Sequence, residues 1–402
     1  MSRRRLLKAG AGAAVGGVLN ADSADAAPVQ KQSVYELLGV KPVINATGTV
    51  TALGGSIMPP EVAEAWKAAA GNFVDLVELQ NKVGEKIAKL LGVEAAMVTT
   101  GAAGALLLGT AAAVTRGDRK LIPRLPDIAE MKNEVLLQKT HHSCYDNQLT
   151  DVGVKLIDVE TSADVKRLVG PKTALMFFMN IADGDGKIKR DEWAKLAREH
   201  NVPSMIDAAA DVPPVSRIAE YAKMGYDLIA LSGGKAMRGP NDTGLLLGRK
   251  ELIEASKLNA NPHCGTIGRM MKVGKEDMAA LAIAVEHFVK LDHDAERQEF
   301  ERRIGVIEAA VKAIPSVECE RIVPAIANHV PHLQIDWDPK RVKITREQVT
   351  RELAQGDPPI RIGRVGGTGN KGILIAVLTL QEGEDRIVAA RLADILQKAA
   401  SK

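Results

Sequence analysis

Lys235 closes the run Leu231-Ser232-Gly233-Gly234-Lys235, 28 positions after Asp207 in the run Asp207-Ala208-Ala209-Ala210. One amine and one carboxylate of this kind are what pyridoxal phosphate chemistry demands. The lysine condenses with the cofactor aldehyde, and the aspartate keeps the pyridine nitrogen protonated so that the ring can take up the electrons of a substrate carbanion. Taken alone, either fragment reads equally as a polar turn or a helix cap. The surrounding elements separate the two readings.

Residues 202–206 are a short apolar run before Asp207, the mark of a buried parallel strand, which puts the carboxylate at a strand's carboxyl end. Open α/β sheets bind ligands at that edge. Residues 226–231 form a second such strand and deliver Lys235 to the same edge, while residues 243–248 predict a strand leading away. Further upstream, 95–99 reads as a strand and Thr100-Gly101-Ala102-Ala103-Gly104-Ala105 as the start of a helix reaching about Thr115. Small residues at a helix amino terminus let a phosphate reach backbone amides where the dipole favours an anion.

Strands and helices alternate to about residue 250, so the expected fold is α/β with a large, doubly wound, mostly parallel sheet. Residues 76–91 carry apolar positions at helical spacing up to a stop at Gly92, and Pro59-Pro60 opens another helix at Glu61. From Glu276 a long helix leads into a smaller α+β part with strands at 317–323, 332–337, 360–364 and 372–377 and helices at 346–353 and 385–399. The expected divisions are a leader at 1–26, an irregular arm at 27–60, a large cofactor-binding domain at 61–275 and a small domain at 276–402.

The leader has Ser2-Arg3-Arg4-Arg5-Leu6-Leu7-Lys8, a mildly apolar Ala/Gly stretch and Ala24-Asp25-Ala26, a pattern similar to a twin-arginine export signal with its cleavage site. Periplasmic location is the expectation. The 402-residue chain has a formal charge of +3, and its leader holds four basic against two acidic side chains, leaving about +1 for the rest. That balance offers no general attraction for nucleic acid, and no long apolar segment predicts membrane insertion after cleavage. Three scattered cysteines, Cys144, Cys264 and Cys319, make neither a disulfide framework nor a zinc site. Asp183-Gly184-Asp185-Gly186-Lys187-Ile188 with Glu192 imitates a calcium loop, but its register puts Ile181 where a carboxylate must stand, so no metal is expected.

Together these stretches resemble the fold-type-I pyridoxal phosphate enzymes related to selenocysteine synthase and D-glucosaminate-6-phosphate ammonia-lyase. The most specific are Val43-Ile44-Asn45-Ala46-Thr47-Gly48-Thr49, Asp207-Ala208-Ala209-Ala210 with Val212-Pro213-Pro214, Ser232-Gly233-Gly234-Lys235 with Arg238-Gly239-Pro240, Gly268-Arg269-Met270-Met271-Lys272, and Gly356-Asp357-Pro358-Pro359-Ile360. The resemblance implies pyridoxal 5'-phosphate on Lys235, Asp207 at its ring nitrogen, and Thr100, Gly101, Ala102 and Ser232 around its phosphate. It implies a ring-stacking histidine at His141, with His142 as the other member of the doublet. Arg364 is similar to the arginine that clamps a substrate carboxylate, with Arg361 as the alternative and Asn45 and His142 nearby. It further implies a homodimer or higher oligomer with shared active sites, Arg269 and Lys272 reaching the neighbouring subunit.

The implied reaction begins with removal of a Cα proton from an amino acid. Elimination of a β-substituent, with the enamine then hydrolysed to a 2-oxo acid and ammonia, leads, with racemisation and transamination as the alternatives. An export signal where selenocysteine synthase has a tRNA-binding region points away from aminoacyl-tRNA.

Overall fold

The structure is a computed structural model that describes residues 33–363 and 372–401. The expected leader at 1–26 and Arg364 lie outside the described residues. The chain forms two compact units, Met1–Pro42 and Val43–Lys402. Within the first, the described part is a short helix, Val34–Leu37, whose amino end is closed reciprocally by Ser33 and Glu36.

Among the described residues the second unit holds twelve strands: β1 (Ile44–Ala46), β2 (Ala95–Thr100), β3 (Glu134–Gln138), β4 (Lys155–Val159), β5 (Thr173–Met179), β6 (Ser204–Asp207), β7 (Leu228–Ser232), β8 (Thr243–Gly248), β9 (Val317–Ile322), β10 (His332–Trp337), β11 (Ile360–Ile362) and β12 (Ile373–Ala376). Seven of them make one sheet in the order β2-β8-β7-β6-β5-β3-β4. Only β8 runs against its neighbours β2 and β7; the other pairs are parallel. This is the large, mostly parallel sheet of fold-type-I enzymes.

Parallel strands covered on both faces read as continuous apolar runs, and β5, Thr173-Ala174-Leu175-Met176-Phe177-Phe178-Met179, is buried throughout. Its side chains divide by the two-residue period. Met176 and Phe178 join one core with Ile206, Ile229 and Leu231, while Leu175, Phe177 and Met179 join the opposite core with Met205, Leu228 and Ala230. The helix Gly101–Thr115 is apolar all round and buried from Gly104 onward, packed between the sheet and the helix Lys250–Leu258. Asp75 caps the helix Leu76–Leu91 by accepting from Glu78 N–H at 2.8 Å, and Gly92 ends it in the left-handed region.

A third core joins β9, β10 and β12 to the helices His293–Lys312 and Glu384–Ala400. The expected irregular arm enters it: Ile44 and Ala46 are buried there because β1 pairs in parallel with β11, Ile44 opposite Ile360 and Ala46 opposite Ile362. The expected long helix from Glu276 is Lys275–Lys290, and a second helix not expected from the sequence, His293–Lys312, follows it. Asp292 starts the second by accepting from the amides of Asp294 and Ala295. Among the described residues no helix is long and apolar enough to cross a membrane.

Candidate active site

The carboxyl ends of β6 and β7 and the loop from β7 to β8 converge on a cavity of about 370 Å³, lined among others by Thr100, Gly101, Ala102, Asp207, Ser232 and Lys235. Six side chains or backbones chosen from sequence therefore meet in one place. Lys235 sits in the tight connection between β7 and antiparallel β8. That connection is closed by Gly233 N–H to Thr243 O (2.9 Å), Arg238 N–H to Lys235 O (2.9 Å) and Thr243 Oγ1 to Pro240 O (2.7 Å).

Gly101 opens its helix at φ +62°, a backbone state that side chains disfavour, and its N–H donates to Asp242 O at 2.8 Å. Gly244 lies against that turn. A Cβ at position 244 would stand 2.2 Å from the Gly101 carbonyl carbon, so β8 and the helix start approach this closely only with glycine. Amides of the first helical turn beyond Gly101 have no partner inside the helix, and the helix dipole adds positive character there.

Asp207 is buried, and its Oδ1 accepts from Ala209 N–H at 2.9 Å. Burial pushes its carboxyl up to about 6, against the opposing pull of that hydrogen bond and of Lys235. Burial also draws the Lys235 amine below its ordinary value, with Asp207 and Asp211 acting in the other direction. Asp211 is itself buried and accepts from Asn180 Nδ2 (2.5 Å) and Tyr221 OH (2.8 Å).

The chemistry of this set fits pyridoxal phosphate. A carboxylate and an amine line one cavity, which also takes in the hydroxyl-bearing residues Thr100 and Ser232 and a helix amino terminus suited to an anion.

The histidine doublet goes elsewhere. Residues Lys139–His141 form a 3-10 turn that carries His141 into the core, where its ring nitrogens meet the Gln138 amide (3.1 Å) and the Met179 N–H (3.2 Å) and its ring packs edge-on to Phe178. Burial pulls its pKa down to about 4. His142 turns outward to Asp146 and Asp158, and the Asp146 hydrogen bond raises its pKa. The aromatic side chain that lines the cavity is Tyr145, whose hydroxyl is shifted upward by burial and then by Cys144 and Asp207.

Asn45 does not line the cavity either. Its Oδ1 accepts from Thr47 N–H (3.0 Å) and Thr47 Oγ1 (2.9 Å), and its Nδ2 donates to Gly48 O (3.0 Å). The amide thus shapes the turn that brings Thr49 and Thr51 to the cavity wall. Arg361 is exposed on β11, opposite Asn45 in register, and is absent from the cavities that Lys235 lines. Thr49, Thr51, Tyr145, Asn241 and Asp242 are lining residues that sequence reasoning did not select. Asn241 and Asp242 directly follow the Arg238-Gly239-Pro240 turn, the one signal that could have marked them.

No group of three or more His, Cys, Asp or Glu side chains among the described residues is arranged to hold a metal. Asp183 accepts instead from Arg190 N–H at 3.0 Å. All three cysteines are free thiols, with Cys144 and Cys264 exposed.

The profile of the family L-seryl-tRNA selenium transferase (SelA) matches residues 43–322, more than half of the chain. The chain belongs to the L-seryl-tRNA selenium transferase family. It is an enzyme of that family. Among individual relatives, a D-glucosaminate-6-phosphate ammonia lyase of Salmonella typhimurium is 28% identical over 380 residues, covering 92% of this chain and 99% of the relative.

A 5'-C-glycyluridine monooxygenase-decarboxylase of Streptomyces is also 28% identical, covering 81% and 83%. An L-seryl-tRNA(Sec) selenium transferase of Caldanaerobacter subterraneus is 25% identical, covering 89% and 83%. A solved D-glucosaminate-6-phosphate ammonia-lyase superposes with a TM-score of 0.78 at 26% identity, covering 92% of this chain and all of that one. A serine palmitoyltransferase variant from S. paucimobilis with a bound PLP–myriocin aldimine shares the fold at a TM-score of 0.56 and 11% identity, over 90% of this chain and 89% of that one.

Proposed function

We propose that this chain is a pyridoxal phosphate-dependent lyase that removes the Cα proton of an amino acid and eliminates a β-substituent, ending in release of ammonia and a 2-oxo acid. The observation carrying this reading is the meeting of Lys235, Asp207 and the start of the Gly101–Thr115 helix at one cavity. Similarity to the ammonia lyase over nearly the whole of both chains favours elimination over the other outcomes of the same first step.

When bound, pyridoxal phosphate supplies an aldehyde carbon for the amine and a protonated ring that accepts the Cα electron pair. Asp207 holds the proton on the ring nitrogen. The helix-start amides, with Thr100 and Ser232, bind the phosphate, and Tyr145 borders the cavity as the aromatic face available to the cofactor ring. Lys235, kept by burial below its ordinary pKa, serves as the free amine that takes the Cα proton and returns it to the leaving group. The substrate carboxylate is assigned to Arg364, with Arg361 the nearest alternative in sequence.

The reading extends to assembly and location. The exposed residues Arg269, Met270 and Lys272 flank Met271, whose carbonyl accepts from Thr100 Oγ1 at 3.5 Å, a placement that supports a homodimer whose second subunit borders the phosphate site. The arginine-rich start of residues 1–26 supports export to the periplasm. An amino-acid screen with detection of ammonia and 2-oxo acid, without added amino acceptor, tests the reaction. Release by the wild type and none by Lys235→Ala is expected; racemised substrate with no ammonia would replace the lyase by a racemase.

A further inference from the structure

A second cavity of about 320 Å³ also reaches Lys235, and its walls include Thr49, Tyr145, Asn328 and His332. His332 begins β10 and is 7% exposed. None of the steps assigned above uses it, yet it is the histidine that shares a cavity wall with both Lys235 and Tyr145.

The ring is fixed in one protonation pattern by its surroundings. Nδ1 lies 2.7 Å from the Val330 carbonyl oxygen, and a carbonyl only accepts, so the proton belongs on Nδ1. The carbonyl is held in turn: Val330 N–H donates to Asn328 O at 2.6 Å, and Asn328 N–H donates to Ala210 O at 2.7 Å, tying the loop to the segment just after Asp207. With Nδ1 protonated, the neutral ring presents Nε2 as a lone-pair acceptor. Burial lowers its pKa, which keeps the ring neutral at physiological pH.

Thr47, which also borders this cavity, bonds through Oγ1 to Asn45 Oδ1 at 2.9 Å, and Lys235 belongs to the reaction. Nε2 has no hydrogen-bond partner among the described residues and is open to the cavity, where a ligand hydroxyl can donate to it in place of water.

We propose that His332 is a specificity-determining residue whose Nε2 accepts a hydrogen bond from a hydroxyl on the substrate side chain, so that the enzyme selects hydroxy amino acids. The proposal rests on the lyase reading, since it places the substrate beside Lys235. A fixed acceptor rewards a hydroxyl and penalises its absence, the asymmetry by which buried polar groups discriminate.

The test is equilibrium binding by calorimetry to the cofactor-loaded protein, comparing α-methylserine in each enantiomer with α-methylalanine, which lack the Cα proton and so are not turned over, for wild type, His332→Gln and His332→Phe. Wild type should prefer the better α-methylserine isomer over α-methylalanine by roughly tenfold or more. His332→Gln, which keeps an acceptor, should retain much of that ratio, and His332→Phe should bring it near unity. An unchanged ratio in His332→Phe overturns the proposal.

Nitrogen-15 NMR of the wild type provides a reading independent of any variant's folding: a proton on Nδ1 is expected, and a proton on Nε2 overturns the proposal. Borohydride labelling of Lys235 in the same preparations separates the two failures. Labelled Lys235 with an unchanged ratio sinks only the role of His332, whereas unlabelled Lys235 removes the lyase reading and this proposal with it.

Discussion

Asp207→Asn should make the cofactor-free protein more stable at neutral pH while destroying its hold on the cofactor. The Asp207 carboxyl stands at about 6 in the folded protein against an ordinary 3.8, with burial as the main cause. A folded pKa above the unfolded one means that the native state binds the proton more tightly. Stability is therefore highest below the unfolded value and is lost as pH rises through about 6.

A rise of about two units corresponds to about 3 kcal/mol at pH 7 and about half of that near pH 5. Asparagine keeps an oxygen for the Ala209 N–H and carries no charge, so the variant escapes this cost. Lys235 loses its counter-charge, but burial already favours its neutral amine. Urea unfolding of the cofactor-free forms near pH 7.5 and pH 5 measures the difference directly. A variant no more stable than wild type at the higher pH, or an advantage that does not shrink at the lower one, would refute the electrostatic reasoning. With cofactor added the order should invert, because wild type gains binding energy that the variant lacks.

Substitutions at three further positions probe the surroundings of the site. His141→Leu should flatten the acid limb of the stability curve: burial holds His141 at about 4, so wild type loses stability as pH falls from the ordinary 6.5 toward that value, by about 3 kcal/mol in full. Its bound-cofactor absorbance should stay that of wild type, and a changed spectrum would put His141 back at the ring. Tyr145→Ala should weaken cofactor binding about tenfold while Tyr145→Phe stays near wild type, read by cofactor titration; equal loss in both would make the hydroxyl the important atom. Gly244→Ala, with its Cβ placed 2.2 Å from the Gly101 carbonyl carbon, should cost about 1–3 kcal/mol in thermal or urea unfolding and lower cofactor affinity. Unaltered affinity would show that the helix start is not the phosphate seat.

The sheet was legible because β5, β6 and β7 are buried on both faces, and their apolar runs survive any choice of partner strand. Asp207 and Lys235 follow directly from those strand ends. The helices were legible where local chemistry sets their limits, as with Gly92 closing residues 76–91. Non-local pairing was not legible: β1 finds β11 more than three hundred residues away, and nothing near Ile44 announces that partner.

Side-chain direction at loops was the other gap. The 3-10 turn at Lys139–His141 buries one histidine and exposes the next, and the chain then returns to the cavity at Tyr145. Asn45 satisfies its own turn, a common alternative for asparagine, so its polarity shapes backbone and not ligand contacts. His332 gave no signal in sequence because its significance lies in the Val330 carbonyl that fixes its tautomer.

Borohydride reduction of the purified, cofactor-loaded protein, followed by peptide mapping, tests the central assignment most directly. A stable pyridoxyl adduct on Lys235, absent from other lysines and from Lys235→Ala, is the expected result. An unmodified Lys235, or an adduct carried by a different lysine, would contradict it.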